Sequence, residues 1–110
     1  MLNNEIQFNP AARLLALKAL ASPVRLTVLA YLKDPVANFP PQIDGDLIVD
    51  GVCGDFLRAK LDIAAATASR HLTLLVNSGL VVTTRKKGWT FYRRNEYALA
   101  RFTADLAHDL

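Results

Sequence analysis

The side chains best suited to molecular recognition lie in one segment, residues 64–77. Apolar residues recur there at helical spacing, at positions 64, 68, 72, 75 and 76, and predict a helix with one buried stripe. The opposite face carries small or hydrogen-bonding side chains: Ala66, Thr67, Ser69, Arg70 and Thr73. Such a face lets a helix approach the edges of DNA bases closely, whereas an ordinary solvated face would carry more Glu and Lys. The segment therefore predicts a DNA-recognition helix.

A basic hairpin follows this helix. Residues 80–84 and 89–94 are rich in β-forming side chains and flank Lys87-Gly88, a pair suited to a tight turn. Arg85 and Lys86 stand beside the same turn. Lysine is a point charge that suits the phosphate backbone better than base edges. We therefore expect this hairpin to lie along phosphate or in the minor groove.

The positive charge of the chain is concentrated in these two elements. The net charge is only +3, but residues 56–94 carry eight Lys and Arg against one acidic residue. A basic stripe on one supersecondary unit is typical of nucleic-acid binding, because each neutralised phosphate releases condensed counterions. The alternative is a basic hairpin that is merely solvated.

The remaining elements must position this unit. A first helix over about 10–21 is predicted by Asn9 as N-cap and Pro10 after it, and a second begins at Ser22-Pro23 and ends near Asp34-Pro35. Residues 54–60 can form a short helix before the recognition helix. A last helix begins after Asn95 and carries one apolar stripe: Leu99, Phe102, Leu106 and Leu110. The order of elements predicts a mainly α fold with a β-hairpin wing, a winged helix-turn-helix.

A long loop over residues 34–52 is inserted before the helix-turn-helix. Its prolines and glycines break any helix, and only residues 47–49 could form a short strand. Asp44, Asp46 and Asp50 do not have the spacing of a calcium loop and are interpreted as turn formers. Two roles for the loop stay open: packing against a partner, or covering a small-molecule pocket.

Length and composition limit the number of domains, the location of the protein and its possible disulfides. With 110 residues and 52% hydrophobic side chains, residues 1–110 are predicted to form one domain with a modest core, which a second copy could extend. No apolar run approaches the length of a membrane span, and residues 1–5 lack the features of a signal peptide, so a cytoplasmic protein is expected. Cys53 is the single cysteine, which excludes an internal disulfide.

Four motifs together resemble one family. They are Leu20-Ala-Ser-Pro-Val-Arg-Leu26, Ala66-Thr-Ala-Ser-Arg-His-Leu72, Asn77-Ser-Gly-Leu-Val81 and Trp89-Thr-Phe-Tyr92. In this order and spacing they resemble the ArsR/SmtB family of bacterial winged-helix repressors, over roughly residues 10–110. The resemblance implies a homodimer joined through the first and last helices. It also implies binding to a pseudo-palindromic operator, which is released when a signal is sensed.

The resemblance assigns roles to individual residues. It directs one set toward the major groove: Ala65, Ala66, Thr67, Ser69 and Arg70, with Thr73 on the same face. It puts Arg85, Lys86 and Lys87 in the wing. The expected dimer residues are Leu14, Leu17, Leu99, Phe102 and Leu106. Arg70 can make the bidentate contact to guanine, whereas His71, on the inner flank, is interpreted as a structural histidine.

The family's metal sites are incomplete in this chain. Where metal-sensing members carry a Cys-x-Cys, this sequence has Cys53 and Asp55, and Arg58 stands where a third thiolate is expected. One thiolate does not hold a soft metalloid. Asp105 and His108, with their symmetry mates, could bind zinc weakly, which leaves a metal-responsive repressor as an alternative, but the pair is short of a complete terminal-helix site. We therefore expect no metal and no cofactor. Cys53 precedes a helix and could serve as a redox sensor, but a buried small hydrophobe is the favoured interpretation.

Other classes of function find less support. A winged-helix module that binds protein through the same surface would show apolar anchors in place of Arg, Lys, Thr and Ser. An enzyme would need catalytic groups, and the chain has two histidines, one cysteine and no glycine-rich phosphate loop. The sequence thus predicts a non-enzymatic regulator with double-stranded DNA and a second copy as partners. A small molecule or an oxidant is a candidate inducer.

Overall fold

The computed structural model describes residues 10–110 and contains six helices and three strands in that range. The helices and strands, in chain order, are α1 Pro10–Leu20, α2 Pro23–Lys33, α3 Pro35–Asn38, β1 Val52–Cys53, α4 Gly54–Leu61, α5 Ala65–Asn77, β2 Val81–Lys86, β3 Trp89–Arg94 and α6 Glu96–Asp109. Asn9 as an N-cap, and residues 1–5 as a start without signal-peptide features, lie outside the described residues.

The predicted start signals of two helices act as expected. The Ser22 hydroxyl accepts a hydrogen bond from the Arg25 N–H (3.3 Å), and Pro23 occupies the first turn of α2. The Asn95 side chain accepts from the Ala98 N–H (3.1 Å) at the start of α6. The recognition helix α5 begins at Ala65, one residue later than predicted, because Ala64 has extended backbone and forms its N-cap.

A three-stranded antiparallel sheet has the order β1-β3-β2. In the β2–β3 hairpin, Val81 pairs with Arg94 at one end and Lys86 with Trp89 at the other. Lys87 and Gly88 form the turn with φ of 53° and 82°. Positive φ at both central residues is the conformation that matches the twist of a two-residue hairpin. The predicted wing is confirmed.

The predicted strand at residues 47–49 is wrong. The Asp46 carboxylate accepts hydrogen bonds from the N–H groups of Ile48 and Val49, both at 2.8 Å, and turns the chain there. These N–H groups are therefore not available to a strand ladder. The strand forms directly afterwards, at Val52–Cys53.

The inserted loop is more ordered than its sequence indicates. It begins with the short helix α3, which Asp34 caps by accepting from the Ala37 N–H. At the other end, Gly51 has φ +108°, and a Cβ there would lie 2.3 Å from the Tyr92 carbonyl oxygen. Only glycine fits so close to β3 in that conformation. The end of the loop is thus seated on the sheet.

The core joins the helix-turn-helix to the sheet. One cluster packs α2, α4 and α5 against β1 and includes Val28, Leu57 and Leu75, each fully buried. A second cluster joins α1 to α6 through Ala16, Leu80 and Phe102. Phe102 was expected at the dimer interface, but its side chain is 2% exposed within the chain itself. Within the single chain Phe102 therefore packs between α1 and α6 and offers little surface to a second copy.

No single helix within residues 10–110 is long and apolar enough to cross a membrane. α1 and α2 together meet the length and composition criteria, but they are bent by 91° at the break between them.

Candidate nucleic-acid interface

The recognition helix α5 presents a face of short side chains to solvent. Ala68, Leu72 and Leu75 are buried on its inner face. On its outer face Arg70 and its predicted companions are exposed, except for the partly buried Thr67; the others are Ala65, Ala66, Ser69 and Thr73. The structure therefore brings these six predicted residues to one surface of one helix.

The angle between α4 and α5 is set by a tight turn. Asp62 ends α4 in the left-handed conformation (φ 56°, ψ 49°), and its N–H donates to the carbonyls of Arg58 and Ala59. Asp tolerates this conformation better than most side chains. α5 then begins at Ala65 with no side-chain cap. The N–H groups of its first turn thus have no side-chain acceptor, the arrangement that favours an approaching phosphate oxygen.

Arg25 connects the recognition helix to the first helix. Its guanidinium donates to the carbonyl of Ala19 (2.6 Å), to the carbonyl of Lys18 (3.1 Å) and to Nδ1 of His71 (2.9 Å). Arginine has no acceptor, so Nδ1 of His71 accepts and the ring proton sits on Nε2. Arg25 belongs to one of the quoted sequence motifs, but its linking role was not predicted, because its partners lie on α1 and α5.

His71 is therefore held in its uncharged form. Partial burial lowers the pKa of His71 below its ordinary value, and the positive charges of Arg25 and Arg70 lower it further. Protonation would also replace the Nδ1 acceptor with a donor facing a guanidinium. A structural role for His71, expected from its position on the inner flank, agrees with these contacts.

The three cations of the wing have different surroundings. Arg85 donates to the Thr90 hydroxyl (3.1 Å) across the hairpin. Lys86 lies with its Nζ 3.1 Å from a carboxylate oxygen of Asp50, whose side chain is only 9% exposed. Lys87 is 74% exposed, and its Nζ is 3.9 Å from an oxygen of Asp44. The wing thus offers Lys87 to solvent more freely than Lys86.

The pair between Asp50 and Lys86 fixes the loop to the wing. The Asp46 N–H donates to the Asp50 carboxylate at 2.8 Å. This hydrogen bond, together with Lys86, holds the pKa of Asp50 below its usual range. Asp44, Asp46 and Asp50 were interpreted as turn formers, which fits Asp46 best. The pairing of Asp44 and Asp50 with the wing was missed because nothing local in the sequence signals it.

Cys53 is buried at the start of α4. Its thiol is the N-cap and accepts a hydrogen bond from the Phe56 N–H (3.4 Å), and the residue is 7% exposed. These surroundings fit the small buried hydrophobe better than an accessible redox sensor.

The residues suggested for metal binding have other partners. A carboxylate oxygen of Asp105 lies 3.8 Å from Nε of Arg101, one turn earlier on α6, and Nδ1 of His108 lies 3.0 Å from a carboxylate oxygen of Asp109. Within residues 10–110, no group of three or more His, Cys, Asp and Glu side chains lies close enough to hold a metal ion.

Part of the surface of α1 is apolar. On α1, Leu14 is 52% exposed and Leu17 is 40% exposed. On α6, the predicted dimer residues Leu99 and Leu106 are half-buried against the second core cluster. An ion pair between Arg13 and Asp109 joins the two helices. α1 and α6 are thus adjacent, and α1 carries leucines that stay exposed among residues 10–110.

The sequence is similar to that of a known transcriptional regulator. No family model matches the chain. The chain is 37% identical over 84 residues to the uncharacterized HTH-type transcriptional regulator YbzH of Bacillus subtilis strain 168. The match covers 76% of this chain and 84% of that protein.

Solved structures of the same fold agree with this relative. An ArsR family transcriptional regulator, RHA00566, superposes with a TM-score of 0.69 at 20% identity, covering 93% of this chain and 90% of that one. HlyU from Vibrio cholerae N16961 gives 0.59 at 24% identity, covering 98% and 95%. NolR from Sinorhizobium fredii gives 0.59 at 20% identity, covering 92% of each chain.

Proposed function

Because the chain belongs to the helix-turn-helix transcriptional regulators and has the winged-helix fold of ArsR-family proteins, we propose that it is a dimeric repressor. In this proposal the dimer binds a pseudo-palindromic operator and releases it on a signal. We also propose that it acts in the cytoplasm, where it meets that DNA, and has no catalytic role. The single observation that carries the proposal is the exposed face of α5, with Arg70 among small side chains and a basic hairpin beside it.

The helix α5, the wing and the helix α1 have distinct roles in this proposal. Side chains as short as Ala66 and Ser69 allow α5 to enter the major groove, where Arg70 can donate two hydrogen bonds to O6 and N7 of one guanine. Arg85 and Lys87 contact phosphate and hold the register without reading sequence. The exposed leucines of α1 meet those of a second copy, because burying them removes apolar area from water.

Selection of bound fragments from genomic DNA tests the proposal. We expect enrichment of one inverted repeat with half-sites centred about 34 Å apart, as two recognition helices of a dimer require. Fluorescence anisotropy should then give an affinity for that sequence at least about 10³-fold higher than for a scrambled duplex of equal length at the same salt concentration. Equal affinity for both duplexes would contradict the proposal and favour a protein-binding module.

Replacing Lys86 and replacing Lys87 should have different effects on DNA binding. Lys87→Ala should lower the slope of log affinity against log salt by about one per subunit, on operator and random DNA alike, because one phosphate contact is lost. Lys86→Ala should change this slope less, because the Lys86 ammonium is already bound to Asp50. It should instead lower the melting temperature, since it leaves the Asp50 carboxylate without its cation.

A matched variant separates these effects. Asp50→Asn keeps an oxygen that can accept from the Asp46 N–H but removes the charge that holds Lys86. We expect it to strengthen binding to both DNAs and to steepen the salt slope. If Lys86→Ala and Lys87→Ala lower the slope equally, DNA displaces Asp50 and the distinction between the two lysines is wrong.

A further inference from the structure

A concave site lies between the inserted loop, the start of α4 and the wing. It has a volume of about 240 Å³, and loop residues 41–44 form one wall. Phe56 and Cys53 come from the start of α4, and Trp89 and Phe91 come from β3. Trp89 and Phe91 share a face of the sheet because they are two residues apart on one strand.

The pocket is held open by contacts within the chain. Gln42 donates to the carbonyls of Gly51 (2.9 Å) and Gly45 (3.3 Å), and its side-chain oxygen accepts from the Cys53 N–H (2.8 Å). This amide therefore ties the loop to β1 and keeps its wall in place. At Gly45 the loop backbone lies directly on the Phe91 ring, since a Cβ there would be 2.5 Å from that ring. The wall is preformed, as most ligand pockets are.

The lining defines the chemistry of an occupant. Three aromatic rings, Pro41 and Ile43 present mainly apolar surface, and the polar groups of Gln42 are satisfied within the loop. The carboxylate of the lining, Asp44, already faces the ammonium of Lys87. A charged ligand would lose water without gaining a free counter-charge, so an uncharged one is favoured.

The size limits the occupant to a small molecule. An apolar protein cavity of about 150 Å³ holds benzene. The 240 Å³ here fits a slightly larger aromatic molecule, such as two fused rings. Ile43 is 99% exposed and Trp89 is 43% exposed, so the lining also leaves apolar area in water that a ligand would cover.

The pocket is continuous with the wing. Asp44 lines it and pairs with Lys87, and Trp89 lines it and begins β3 directly after the turn at Lys87-Gly88. An occupant therefore contacts residues that position the wing. We propose that this pocket binds a small uncharged aromatic molecule, and that this molecule is the signal that changes operator affinity. The second half of this statement rests on the proposed function, whereas binding itself does not.

Indole is a suitable probe because it is uncharged and has two fused rings. We expect unlabelled indole to shift the Trp89 side-chain N–H resonance and the amides of residues 42–44 of the ¹⁵N-labelled protein, saturably and without DNA. Indole-3-acetate should bind at least about tenfold more weakly, because its carboxylate finds no free cation. Indole should also change operator affinity in anisotropy by at least about threefold.

Two exposed positions make variants that keep the core. Ile43→Asp and Trp89→Ala should each weaken indole binding at least about tenfold, read from the amides of residues 42 and 44. Tyr97→Ala is the control, because Tyr97 is an aromatic residue, 74% exposed, outside the pocket. The site is refuted if millimolar indole gives no saturable shift or if Ile43→Asp and Trp89→Ala bind it like the wild type. Binding without any change in operator affinity refutes the signal role alone, and a protein without operator specificity refutes the proposed function instead.

Discussion

Arg70→Ala is expected to lower affinity for the operator at least about 25-fold while leaving affinity for random DNA nearly unchanged. A bidentate arginine–guanine contact contributes about 1–3 kcal/mol of discrimination against a wrong base. The losses of binding free energy at the two half-sites add roughly independently, and every 1.4 kcal/mol is a tenfold change in affinity. Anisotropy on operator and scrambled duplexes gives the two affinities.

The ratio of operator affinity to random-DNA affinity, the specificity ratio, is the decisive readout for Arg70. Base preference should relax at one position per half-site, which a panel of operators with single substitutions would reveal. Lys87→Ala is the matched control, because it should weaken both DNAs together and leave the ratio unchanged. An unchanged ratio in Arg70→Ala would show that Arg70 does not contact a base edge, and the role of α5 would need revision.

Leu14→Glu is expected to convert the proposed dimer to monomers and to lower operator affinity about 10²- to 10⁴-fold. Leu14 on α1 is 52% exposed. In the proposed dimer the exposed face of α1 packs against the second copy, so the variant places a charge in an apolar contact. A monomer holds one half-site only and loses the gain from two linked binding events. Sedimentation and anisotropy measure the two effects.

Leu26→Glu is the control for this experiment. Leu26 is exposed to the same degree (51%) but lies on α2. We expect it to leave the oligomeric state unchanged. A wild-type protein that sediments as a monomer at micromolar concentration would contradict the proposed dimer. Phe102 is not a suitable position for this test, because its replacement would open the second core cluster and destabilise each chain.

The elements that carry the candidate interface were predictable because their signals are local. The stripe of Ala68, Leu72 and Leu75 recurs at helical spacing, and the Lys87-Gly88 turn lies between two β-rich runs. The fold predicted from these patterns is confirmed by the structure and by the ArsR-family neighbour. The boundary of α5 moved by one residue, which is the usual uncertainty at a helix end.

What the sequence did not predict depends on contacts between distant residues. Asp50 and Lys86 are 36 positions apart, and neither has a neighbour that signals the pair. Phe102 lies on the same apolar stripe as Leu99 and Leu106. Helical periodicity alone therefore did not show that Phe102 is fully buried whereas Leu99 and Leu106 are only half-buried. At residues 47–49, β-branched side chains favoured a strand. The N–H groups of Ile48 and Val49 instead donate to the Asp46 carboxylate, and the chain turns there.

The contacts of Arg25 have a consequence for the length of DNA that the protein reads. One guanidinium holds both the carboxyl end of α1 and His71 on α5. In the proposed dimer, α1 lies at the two-fold axis and α5 in the major groove. The Arg25 side chain therefore helps to set the distance between α5 and the axis. Twice that distance is the separation of the half-sites. If the protein is the proposed dimer, the spacer of its operator is set in part by Arg25, a residue that need touch neither the bases nor the second subunit.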